Sequence, residues 1–121
     1  MGFLFVALGG MLGALSRYSV YLAVRSLVGS GVPLATLAVN VVGCFAIGAA
    51  GARAAAPRGL DPDLRLFLVI GFLGSFTTYS AFGFETFEYL RAGRTGVAAG
   101  LAVAHLTLGL AAVWLGFRAF A

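Results

Sequence analysis

Read for where apolar and polar positions fall, the chain divides into four long apolar stretches separated by three short interruptions. About 20 helical residues cross the roughly 30 Å of hydrocarbon in a bilayer, and each stretch is long enough to do so. The first runs from about Gly2 to Leu27 and ends before Gly29-Ser30-Gly31. The second begins at Pro33, a favourable first-turn residue, and fades near Arg53. The third covers about 64–90 and the fourth about 95–117, with Arg53 to Arg65 as the one clearly polar loop. The pattern predicts an all-α integral membrane protein, a single four-helix unit over residues 1–121 without an internal repeat. Met1 to Val6 carries no positive n-region, so the first stretch is expected to be a retained helix and not a cleaved signal.

The third stretch departs from the others. Its middle reads Gly71-Phe72-Leu73-Gly74-Ser75-Phe76-Thr77-Thr78-Tyr79-Ser80-Ala81-Phe82-Gly83. Glycines, hydroxyls and adjacent β-branched threonines make a poor helix interior. A break at mid-membrane is expected, tolerated only where protein or water satisfies the freed backbone. Interrupted helices at this depth are a recurring way to hold ions. The alternative is an unbroken helix whose hydroxyls bond back to its own carbonyls.

Composition agrees with a lipid solvent. Hydrophobic residues make up 61% of the chain, mean hydropathy is +1.03, and only 10% of residues are charged. Soluble domains carry about 25% charged residues. A chain this short has no soluble core large enough for so much apolar sequence. The net charge of +4 comes from scattered arginines, with no basic run that would suggest nucleic acid. Lone Cys44, in an apolar segment, is expected to pack rather than to pair or bind metal.

Charge placement adds a prediction about assembly. Four spans put the termini and the central loop on one side, with Arg53, Arg58, Arg65 and Arg118. The other side holds Arg25, Arg91 and Arg94, with Arg17 inside the first helix. Lys and Arg bias sets orientation, and here it nearly cancels. Such a chain can insert both ways, and opposed copies can pair about an axis in the membrane plane. Small residues for close helix contact stand at Gly9, Gly10, Gly13, Ala14, Gly96 and Gly100. An antiparallel, dual-topology homodimer is expected.

Polar groups inside spans are costly, so each needs a reason. Arg17 either snorkels to the head groups or raises anion concentration at a pore mouth. Asn40, near the centre of the second span, either ties helices together or presents an amide donor to an anion. Glu85 and Glu88 can cap, pair with Arg91 or line an entrance, and His105 and Thr107 are the main polar groups of the fourth span. A lone His is more often a packing residue than a metal ligand. No paired carboxylates, nucleophile–base set or phosphate loop is visible, so an enzyme is not expected.

Three pieces occur in order: Gly9-Gly10-x-x-Gly13-Ala14-x-x-Arg17-Tyr18, Val39-Asn40-x-x-Gly43, and Gly71-Phe72-x-Gly74 running into Thr77-Thr78-Tyr79-Ser80-x-Phe82-x-x-Glu85. In this the chain resembles the Fluc (CrcB-type) fluoride channels along nearly its whole length. The resemblance implies an antiparallel dimer in the cell membrane (inner or plasma) that exports fluoride passively through two pores. It implies a structural sodium ion at the dimer axis, held by backbone carbonyls at the positions of Gly74 and Thr77. It places Asn40, Tyr79 and Phe82 on the fluoride pathway; Ser80 and Arg17 are further candidates for that pathway, and Glu85, His105 and Thr107 are candidates for its vestibule. An aromatic ring is positive at its edge, so Tyr79 and Phe82 can meet a small anion edge-on. Tyr79 stands where the family has Phe, and Ala81 where it has Thr. The other reading is a small multidrug-resistance-type proton-coupled antiporter. That mechanism needs a carboxylate in the first helix, which here has none.

Overall fold

The computed structural model describes residues 1–30 and 33–121, so Gly31 of the first predicted break lies outside the described residues. Helix α1 covers Gly2–Val28 and α2 covers Leu34–Ala55. The third span, Pro62–Arg91, is made of four pieces. They are α3 (Pro62–Arg65), a π-helix (Leu66–Leu73), α4 (Gly74–Phe76) and α5 (Tyr79–Arg91). Helix α6 covers Thr95–Phe120. All four spans are long and apolar enough to cross a membrane.

Local chemistry explains the ends. Gly29 stops α1 with φ 83, a conformation that suits glycine. Asp61 caps α3 by accepting from the Asp63 and Leu64 backbone N–H groups at 3.0 and 3.1 Å, with Pro62 in the first turn. Gly93, at φ 72, turns the chain from α5 into α6. The fourth span outlasts its predicted end near residue 117. Its last turn is held by the Phe120 ring on Phe45, at a centroid distance of 6.5 Å.

Lipid tails are as apolar as leucine, so these helices associate by close contact and not by the hydrophobic effect. Glycines make that contact in two pairs. Helix α1 lies on the π-helix: a Cβ at Gly9 would strike the Phe67 carbonyl, one at Gly13 the Phe72 carbonyl, and one at Gly71 the Val6 carbonyl. Helix α2 lies on α6 in the same manner, with Gly48 against the Val113 carbonyl and Gly116 against that of Phe45. The core is correspondingly small-grained, with Val39, Ala52, Ala98, Ala112, Leu73 and Phe76. Large apolar side chains such as Phe3, Leu106, Leu110 and Trp114 face outward. Gly9 and Gly13 are thus occupied within the chain, whereas Gly96 and Gly100 face open space.

Candidate functional site

The third span breaks halfway along. Thr77 and Thr78 are extended, with φ/ψ of −81/157 and −153/114. Two β-branched residues and a ready cap favour this over a continued helix. The Thr78 hydroxyl accepts from the Ala81 N–H at 3.2 Å and so starts α5. It also lies 3.1 Å from the Ser80 hydroxyl. The helix is not unbroken, but one hydroxyl does bond back to it: the Thr77 hydroxyl donates to the Leu73 carbonyl at 2.9 Å.

Asn40 reaches across from α2 to fill the gap. Its Nδ2 donates to the Thr78 carbonyl at 3.0 Å, and its Oδ1 accepts from the Thr78 N–H at 2.9 Å. One side-chain amide therefore replaces both backbone partners that Thr78 loses where the ladder stops. The second Nδ2 hydrogen remains available. Diverting the Thr78 N–H to Asn40 leaves the Gly74 carbonyl without a backbone donor, and the Thr77 carbonyl has none either, among the described residues. The two half-helices thus leave oxygen dipoles on one side of the gap and the N-terminus of α5 on the other.

A cavity of about 510 Å³ opens at this break. Asn40, Gly74, Thr77, Tyr79, Phe82 and His105 all line it. The Phe82 ring lies between the other two rings, 5.6 Å from Tyr79 and 4.2 Å from His105 between centroids. Tyr79 is 82% exposed in the single chain, although it stands at the middle of the span. The His105 Nδ1 faces the Leu101 carbonyl at 3.0 Å, while its Nε2 is buried without a hydrogen-bond partner.

The other expected site residues lie elsewhere. Ser80 meets Thr78 without lining the cavity. Thr107 is exposed and donates to its own helix at Val103, 2.7 Å away. Arg17 is half-buried and lines neither the cavity at the break nor the one beside Glu85. Glu88 pairs with Arg91 at 3.0 Å on the surface. Glu85 belongs to a second cavity, of about 340 Å³, together with Tyr18, Tyr21, Arg25 and Thr36. There Thr36 donates to Glu85 Oε1 at 2.6 Å, and the Tyr21 hydroxyl is 3.0 Å from Thr36 Oγ1. Thr36 is buried, and sequence reasoning missed it as a partner for Glu85. The available signal was its position four residues before Asn40, on the same helix face.

Comparison with known proteins identifies the family of the chain. The family model described as "CrcB-like protein, Camphor Resistance (CrcB)" matches residues 4–117. A protein of Solibacter usitatus named fluoride-specific ion channel FluC is 44% identical over 116 residues, covering 96% of this chain and 95% of its own. Its namesake in Acidobacterium capsulatum is 44% identical, covering 96% of this chain and 93% of its own. A further namesake, from Thermus thermophilus, is 43% identical, covering 96% and 92%. With the family model matched across all four spans, the chain belongs to the CrcB family.

Proposed function

We infer that this protein is a fluoride-selective channel, passively exporting fluoride that entered the cell as its neutral acid. The observation that carries the reading is the convergence of the broken third span, the Asn40 amide and the Tyr79–Phe82 pair on one mid-span cavity. Fluoride is small and holds its water tightly. Only a narrow file of amide, hydroxyl and ring-edge donors replaces that shell, and a larger anion needs a wider passage. The free Nδ2 hydrogen of Asn40 and the start of α5 give the cavity donors for an anion. Family membership and the absence of a first-helix carboxylate both weigh against the antiporter reading.

The working unit is an antiparallel homodimer in the cell membrane. An aromatic as exposed as Tyr79, beside a polar gap at membrane depth, calls for protein or water over it instead of lipid. The near balance of arginines between the two sides supports opposed copies. A sodium ion at the dimer axis fits the free carbonyls of Gly74 and Thr77, because hard oxygen ligands suit a hard cation. Its contribution is structural, countering the carbonyl dipoles that face the break. Purified protein in liposomes, followed with a fluoride electrode and in parallel for guanidinium uptake, tests the assignment. Fluoride efflux without guanidinium uptake supports the channel; the reverse result overturns it.

A further inference from the structure

We propose that His105 makes the anion path proton-sensitive, so that protonation of its Nε2 places a hydrogen-bond donor in the cavity and raises fluoride throughput. The inference rests on the channel reading. The Leu101 carbonyl, 3.0 Å away, can only accept, so Nδ1 carries the proton. In the neutral ring Nε2 then bears a lone pair, which repels an anion. This atom is buried without a hydrogen-bond partner, on a side chain that lines the cavity with Asn40 and Phe82. Protonation converts that same atom from acceptor to donor without moving the ring.

The surroundings leave the switch to fluoride. Helices α2 and α5 pack against α6, and their titratable groups in the cavity are Cys44 and Tyr79. The break and the π-helix contribute Leu73, Gly74, Thr77, Thr78 and Val69. No carboxylate and no guanidinium lines the cavity, among the described residues. Glu85, also on α5, is tied to Thr36 at the second cavity. The Phe82 ring lies 4.2 Å from the imidazole.

Two measurements on the full chain test this. In liposomes, after subtraction of neutral-acid leak through protein-free vesicles, fluoride efflux at pH 6 should exceed that at pH 8 by at least about threefold. His105→Gln, with a permanent amide donor, should hold efflux high at both pH values, and His105→Leu should hold it low at both. A flat or inverted wild-type profile, with fluoride efflux still present, overturns the inference and leaves the channel standing. No efflux at any pH overturns both. Because His105 is the chain's single histidine, its ring signal in an NMR spectrum is unambiguous. Fluoride should perturb that signal; a ring signal unaltered by fluoride overturns the inference even where the variants fail to fold.

Discussion

Phe82 stands at the centre of the aromatic group, against Tyr79 on one side and His105 on the other. A phenylalanine in such a place is ordinarily packing, and then Phe82→Ile would lower stability and leave flux intact. The ring-edge role makes the opposite forecast. Isoleucine keeps an apolar side chain but removes the electropositive edge, so fluoride finds no replacement for its lost water. A lost contact of about 1.4 kcal/mol in the barrier slows passage roughly tenfold. Phe82→Ile should therefore assemble normally by size-exclusion chromatography and show efflux reduced at least about tenfold in liposomes. Normal efflux from the assembled variant would return Phe82 to packing and leave Asn40 and Tyr79 to account for selectivity. The break at Thr77-Thr78 was legible in the sequence because glycine, hydroxyl and β-branched residues cluster there. That Asn40 is its backbone partner was not, since the two lie on different spans and only folding brings them within 3.0 Å.

At the scale of elements, four spans were legible because each is one long apolar run. The π-helix Leu66–Leu73 was not, because a change of hydrogen-bond register leaves the apolar run unaltered. Pairing of α1 with the third span and of α2 with α6 also escaped, although the glycines that permit it were visible. Which helix a small residue faces depends on rotation about the axis, and a nearly uniform apolar sequence fixes rotation weakly. The pairs carry a direct test. Gly48→Ala drives a methyl into the Val113 carbonyl, whereas Gly96→Ala enters open space within the chain. Overpacking of a tight contact costs about 1–3 kcal/mol. Thermal unfolding in detergent should show a clearly lowered midpoint for Gly48→Ala. Gly96→Ala should be near wild type, or lower only the dimer's stability where that face meets a second copy. Equal midpoints for the two variants would mean that α2 and α6 are not held by this contact.

For the whole molecule, the arginine balance makes orientation a matter of small differences. A reporter fused to the C-terminus should reveal both orientations in one population of cells under native expression. A single orientation would remove the case for an antiparallel dimer. Two lysines added to the central loop should bias insertion and lower efflux, restored by co-expressing an oppositely biased copy. Exchange of sodium for a large organic cation should weaken conduction or dimer stability in purified protein. Thr77→Ser should be mild, because the backbone supplies the oxygen. Complete loss of function in folded Thr77→Ser would assign the role to the hydroxyl instead.

The pairing of α2 with α6 also sets a schedule for synthesis. Helix α2 is complete at Ala55, but its partner does not begin until Thr95. At about 5–20 residues per second, the ribosome takes a few seconds to supply the difference. During that interval the Gly48 face has no helix to meet, and lipid fills a notch shaped for a carbonyl. Until its last helix emerges, the partly made protein therefore lacks one of its two glycine-lined helix pairings. A premature stop before Thr95 would make that condition permanent, yielding chains that enter the membrane and are then exposed to its proteases.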